Sequence, residues 1–211
     1  STLSPSSAAS DVYKRQVYSI LFFFMALVFV WSPISIINLY FDTEVDRLSR
    51  YSKDYDLKKQ PFLTKEINKV HGFVMVLTLL VVGTICWYLI NPQTLPIVVT
   101  CWLLGILYSA PPFRMKGVPF LDVLLNASAA PLSYYLGFML GSGNVRILDL
   151  SWSFFLLASA YLLTLCGDYE SDKKAGIRTT AIHLGKFSTY KASVIMFFFS
   201  ILFLSITLFT E

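Results

Sequence analysis

Asn38, Asp42 and Asp46 stand four residues apart in the stretch Asn38-Leu-Tyr-Phe-Asp42-Thr-Glu-Val-Asp46. At 3.6 residues per turn, positions i, i+4 and i+8 drift only modestly around a helix, so one face carries all three side chains. Two carboxylates and an amide at the mouth of an apolar helix can hold a hard cation such as Mg2+ against a phosphate. A second acidic set, Asp168 and Asp172 with Glu170 between them, closes a later apolar run. Either set alone is also what a helix leaving a membrane carries on its solvated face. The same arrangement twice, each time at the end of an apolar run, favours a shared site.

A third group supplies cations. In Tyr108-Ser-Ala-Pro-Pro-Phe-Arg114-Met-Lys116-Gly, two prolines follow an apolar run, where they end the helix and stiffen the turn. Arg114 and Lys116 are then aimed at a fixed point. Two readings stand: charges that stop a span, or the cations that face a diphosphate also gripped by metal-bound aspartates.

The elements that must position these groups are apolar. The 211 residues are 55% hydrophobic and 14% charged, with a mean hydropathy of +0.62, against roughly a quarter charged in soluble domains. The fold class predicted is all-α, a polytopic transmembrane helical bundle. Val17 to Phe41 gives 25 uncharged residues, Leu150 to Gly167 gives 18 and Ala192 to Thr210 gives 19, against roughly 20 needed to span a bilayer. Val70 to Phe113 is 44 uncharged residues broken by Asn91-Pro92, which reads as two helices and a tight turn. Val118 to Leu140 supplies a sixth span, and no strand pattern competes.

Residues 1–16, Ser/Ala-rich and ending in Asp11-Val-Tyr-Lys-Arg-Gln16, read as a non-native or disordered tail. Residues 17–211 form the membrane domain. Arg47, Arg50, Lys53, Lys58, Lys59, Lys65 and Lys69 follow the first span, Arg114 and Lys116 precede the fourth, and Lys173, Lys174, Arg178 and Lys186 precede the last. Within 17–211 only Arg146 stands on the opposite side, while Lys14 and Arg15 of the excluded tail lie on the wrong side for this scheme. Thirteen basic residues against one place the three charged loops in the cytoplasm or its topological equivalent. The net charge of +4 is thus a topology signal, and no nucleic-acid module is visible. Cys86, Cys101 and Cys166 lie in or at the end of spans without metal-ligand spacing and read as packing thiols. His71 and His183 stand alone and carry no assigned role.

On these residues the chain resembles the UbiA superfamily of intramembrane prenyltransferases. The resemblance rests on NxxxDxxxD (Asn38, Asp42, Asp46), YSxPPxRxK (Tyr108 to Lys116) and DxxxD followed by KxAGxRT (Asp168 to Thr179), and spans essentially all of 17–211. It implies a helical bundle around a central cavity, open sideways to lipid and capped by the two aspartate-bearing loops. It also implies Mg2+-dependent transfer of a prenyl group from a polyprenyl diphosphate to a lipophilic acceptor in the bilayer, an aromatic ring or an isoprenoid. The chain departs from the common family pattern at Leu39, at Lys59-Gln-Pro-Phe-Leu63 and at Thr179-Thr-Ala181. Together with Val118-Pro-Phe-Leu-Asp122, these departures are similar to the lycopene elongase-like branch. The resemblance implies nine helices, with the acidic motifs closing the second and sixth. Here they close the first and fifth, so the expectation is a chain truncated at both ends, lacking one helix before Val17 and two after Glu211.

Carried onto these positions, the resemblance implies Asp42, Asp46, Asp168 and Asp172 as catalytic Mg2+ ligands. Asn38, Arg114, Lys116 and Lys173 would bind the substrate diphosphate. An allylic cation formed on C–O ionisation needs shelter and aromatic faces. Tyr40, Tyr108 and Phe113 lie near the motifs, each offering about 0.5 to 2 kcal/mol by cation–π contact. Against this, most of the 18 Phe and 12 Tyr face lipid or the interfacial belts; Tyr108, which opens the YSxPP turn, is the best exception. Asp122 and Asn126, i and i+4 on the fourth helix, would contact acceptor or metal, unless Asp122 is simply solvated near the interface. Two other classes are weighed. A CDP-alcohol phosphotransferase would carry an Asp-Gly start, an Ala-Arg pair and regular glycines in one segment, and no such segment occurs. A transporter would place carboxylates near the midplane on broken helices, whereas these cluster at span ends.

Overall fold

In lipid every backbone polar group must be satisfied within the chain, and helices do this segment by segment. The computed structural model describes residues 5–49, 60–140 and 145–210. Along these run α1 (Pro5–Ser49), α2 (Lys69–Ile90), α3 (Leu95–Ser109), α4 (Leu121–Ala127), α5 (Ala129–Phe138), α6 (Ile147–Ala175), α7 (Thr180–Leu184) and α8 (Lys186–Phe209). No strand occurs among the described residues. Five stretches are long and apolar enough to cross a membrane: Phe23–Thr43, Lys69–Ile90, Pro92–Ser109, Ile147–Ala175 and Lys186–Phe209. The protein is an integral membrane protein.

Two features differ from the sequence expectation. The span predicted over 118–140 is a broken helix, α4 then α5, with Ser128 between them. Ser128 N still donates to Leu124 O (3.1 Å) and Leu132 N to Ser128 O (3.2 Å), so the helical path continues through the break. Second, α1 begins at Pro5, and residues 5–16, read from sequence as a tail, are its N-terminal turns. Residues 1–4 of that tail lie outside the described residues, as do Arg50, Lys53, Lys58 and Lys59 of the first basic loop.

Large apolar side chains face outward, Phe198 at 64% and Leu208 at 63% exposure, while much of the interior is small and polar. That distribution suits a lipid solvent, where helices associate through close packing and interhelical hydrogen bonds. At the α6/α8 contact Ser193 Oγ donates to Ser159 O (2.9 Å) and Ser200 Oγ to Trp152 O (2.9 Å). Where α1 meets α3, Gly105 lets the helices close up: a Cβ there would sit 2.6 Å from Ile34 Cγ1. This contact brings Asn38 alongside the end of α3. The second acidic set is placed by the end of α6. Gly176 adopts a left-handed φ of +70°, ordinary for glycine, and Ile177 N returns to Asp172 O at 3.0 Å.

Candidate functional site

The four-residue spacing along α1 places Asn38 and Asp42 against the turn that follows α3. Asn38 Oδ1 accepts from Ser109 Oγ (3.1 Å) and from Lys116 Nζ (3.0 Å). Asp42 Oδ1 accepts from Arg114 Nη2 at 3.2 Å and from Lys116 Nζ. The prolines turn the chain back as expected, and Arg114 N closes the turn on Ala110 O at 2.9 Å. Arg114 itself is left-handed, φ +37° and ψ +54°, a conformation costing a non-glycine residue roughly 1 to 2 kcal/mol. The Lys116 side chain is only 12% exposed. Burial pushes its ammonium below the usual lysine range, and the Asp42 carboxylate opposes that shift.

The other acids gather at the same end of the bundle. Asp46 Oδ2 accepts from Gln60 Nε2 at 2.6 Å. On α6, Asp168 is exposed and Asp172 half-buried, with Thr179 Oγ1 donating to Asp172 Oδ2 at 3.4 Å. Asp168 interacts electrostatically with Asp46, and Asp172 with Lys116. Lys116 therefore joins the two acidic sets: it bonds the first and lies in the field of the second. Lys173 is exposed one residue past Asp172.

Below these charges lies a cavity of about 300 Å3 whose lining includes Trp31, Asn38, Tyr108, Asn126 and Leu157. Tyr108 and Tyr161 share a hydroxyl–hydroxyl hydrogen bond of 2.7 Å. Through Leu157 the cavity adjoins an apolar groove of about 410 Å3 between α1, α5 and α6, with Phe23, Tyr134 and Trp152 in its walls. The site thus runs from a charged mouth through a few hydroxyls and amides into hydrocarbon.

Three expected site residues sit elsewhere or are otherwise engaged. Tyr40 lines a separate apolar groove of about 480 Å3 between α1, α2 and α3, and packs edge-on against Phe62. It is on another face of α1 because two residues past Asn38 is 200° around a helix. Asp122 is neither solvated nor open to the cavity: it is fully buried. Its Oδ2 accepts from Thr180 N (2.7 Å), and its Oδ1 from Thr180 Oγ1 and Val123 N, which ties α4 to α7. Phe113 is 58% exposed on the surface of the turn. Sequence reasoning missed Ser109, Gln60, Thr180 and Tyr161. Of these only Tyr161 carried a signal, standing seven residues and two turns before Asp168 on one face of α6.

Among the described residues no three acidic, histidine or cysteine side chains come close enough together to enclose a metal alone. The donors at the mouth are all hard oxygens, and Asp42 is already paired with two cations. Mg2+ is usually held by one or two carboxylates together with substrate phosphates and waters. The donor set fits an ion of that kind arriving with a phosphate ligand, and does not fit an all-protein cage.

The profile of the UbiA prenyltransferase family matches residues 6–211. A lycopene elongase/hydratase from Haloferax volcanii is 25% identical over 188 residues, covering 88% of this chain and 58% of that protein. A 2-acylphloroglucinol 4-prenyltransferase from Humulus lupulus is 29% identical over 160 residues, 71% of this chain and 37% of that one. The chain therefore spans little more than half, and about a third, of the length of these two relatives. Among solved structures, a UbiA homolog from Archaeoglobus fulgidus bound to DMAPP and Mg2+ superposes with a TM-score of 0.80 at 30% identity, over 92% of this chain and 67% of that one. The same homolog bound to GPP and Mg2+ gives 0.80 at 28% identity. With a family match over nearly its whole length and the corresponding helical bundle, the chain belongs to the UbiA prenyltransferase family.

Proposed function

We propose that the protein transfers a prenyl group from a prenyl diphosphate to a lipophilic acceptor within the membrane, with Mg2+ as cofactor. The observation that carries this is Lys116, whose ammonium bonds Asn38 and Asp42 of one motif and lies in the field of Asp172 of the other, with Asn38 itself lining the cavity that leads to the apolar groove. Lys116 and Arg114 bind the diphosphate, exchanging their contacts with Asp42 for phosphate oxygens. Asp42, once freed of those cations, and Asp46, Asp168 and Asp172 would hold the metal jointly with the diphosphate; it would supply charge neutralisation that makes the diphosphate a better leaving group. The allylic C–O bond breaks with its electron pair leaving on the diphosphate. Tyr108, which lines the cavity and is hydrogen-bonded to Tyr161, presents its ring to the resulting cation, and the apolar groove at α1, α5 and α6 takes hydrocarbon and excludes water. The acceptor's π electrons form the new C–C bond, and the acceptor then loses a proton.

The similarity to the Haloferax volcanii protein supports an isoprenoid acceptor of the carotenoid class. The distribution of Lys and Arg supports a cytoplasmic position for the charged mouth. Labelled prenyl diphosphates of several lengths, incubated with membranes containing the protein, Mg2+ and a panel of carotenoid and aromatic acceptors, test the reading through product identity. Asp42→Asn and Asp168→Asn are expected to lose turnover by orders of magnitude while inserting normally. Wild-type turnover in both at saturating Mg2+ would remove the acids from the chemistry.

A further inference from the structure

Gln60 opens the described return from the first basic loop to α2, and its side chain is fully buried. Its Nε2 donates to Asp46 Oδ2 at 2.6 Å and to the main-chain carbonyl of Leu39 at 3.0 Å. Leu39 and Asp46 are seven residues apart, two turns along one face of α1, so a single amide spans that face and ends on an acid. The backbone around Gln60 is held in turn: Leu63 N and Thr64 N donate to Gln60 O at 3.0 and 3.1 Å. Phe62 packs edge-on against Tyr40 with ring centroids 5.7 Å apart. The amide is thus a fixed support, not a mobile loop contact.

Its other end is unusual. Gln60 Oε1 is buried with no hydrogen-bond partner, a state that disfavours the fold unless a donor arrives. An amide N–H fixes the direction of a carboxylate and favours its ionised form without bringing a charge of its own.

We propose that Gln60 is a positioning residue for the cation site: it orients the Asp46 carboxylate toward a divalent cation, and its orphaned Oε1 is the acceptor that an occupied site would satisfy. This rests on the reading of the mouth as a metal–diphosphate site. Partners of this kind behind a ligating carboxylate typically govern metal affinity by about 10- to 100-fold.

The test uses the full chain in lipid nanodiscs, with Mn2+ as a spectroscopic probe and inorganic pyrophosphate as the anion, so that no turnover is required. Q60M keeps the side-chain volume and removes the donor. Q60N keeps the amide but is one methylene too short to reach both acceptors, and serves if Q60M does not fold. Mn2+ affinity, read by electron paramagnetic resonance in the presence of pyrophosphate, is expected to fall about tenfold or more in Q60M and severalfold in Q60N. Pyrophosphate binding without metal, which depends on Lys116 and Arg114, should stay within about twofold of wild type. Wild-type Mn2+ affinity in the variants overturns the proposal, and so does an equal loss of metal-free pyrophosphate binding, which would mark a general structural role. If the wild-type protein binds neither Mn2+ nor pyrophosphate, the metal–diphosphate reading itself fails.

Discussion

Lys116 Nζ lies 3.0 Å from Asn38 Oδ1, joining residues 78 positions apart in the chain. The same ammonium meets Asp42; on the proposed reading it would exchange the first acidic motif for the diphosphate when substrate comes. Lys116→Ala is expected to raise KM for the prenyl diphosphate by about 10- to 100-fold, with a smaller change in kcat, since a hydrogen bond to a charged group contributes about 1.5 to 3 kcal/mol. Initial rates across a diphosphate titration check this; an unchanged KM would exclude Lys116 from binding.

The same side chain gives a pH dependence. Burial lowers its pKa, and on the proposed reading the charged form is the one that binds the diphosphate. Binding is therefore complete below the lowered value and lost as pH rises through it, before an ordinary lysine near 10.4 would titrate. kcat/KM, which reports the free protein, should fall on the alkaline side in wild type. Lys116→Arg, whose guanidinium stays charged, should abolish that limb whatever its basal rate. For stability the sign is opposite: the charged form is disfavoured by folding, so stability rises between the folded and unfolded pKa values.

Asp122 and Thr180 form the bracket that docks α7, with Thr180 N at 2.7 Å from Asp122 Oδ2. Because the carboxylate is fully buried, Asp122→Ala leaves Thr180 N and Val123 N without acceptors. A loss of about 2 to 4 kcal/mol is expected, read as a lower thermal transition in detergent. Thr180→Val, which keeps the backbone bond, should lose less. Thr179, next in the chain, donates to Asp172, so activity should fall with docking; wild-type melting in Asp122→Ala would contradict the bracket.

Tyr108 and Tyr161 are joined hydroxyl to hydroxyl at 2.7 Å. On the proposed reading, removing the Tyr108 ring forfeits cation–π stabilisation, and about 0.5 to 2 kcal/mol corresponds to about 2- to 30-fold in rate. Tyr108→Ala should therefore lose more turnover than Tyr108→Phe, and release more prenyl alcohol from water capture. Equal rates and equal product ratios for the two variants would leave the ring no part in the reaction.

The sequence by itself determined the class and the depth of the chemistry. Runs such as Val70 to Phe113 have one stable form in lipid, because helices satisfy their own backbone, and the Asn91-Pro92 break is a local property of two residues. The spacings of Asn38, Asp42 and Asp46 fix a common face through the helix repeat alone, and placing each acidic set at the end of an apolar run fixes its level. Tertiary structure decided everything that depends on how far helices approach and how they rotate. Whether Lys116 reaches Asn38 depends on Gly105 letting α3 settle against Ile34 of α1. Tyr40 is close to the motif in sequence yet turned into another groove, since adjacency along a helix scatters side chains around it. Asp122 read as a polar residue near an interface, but a partner 58 residues away claims its carboxylate. Gln60 looked like a departure from a pattern, and only its contact with Asp46 gives it a place in the site.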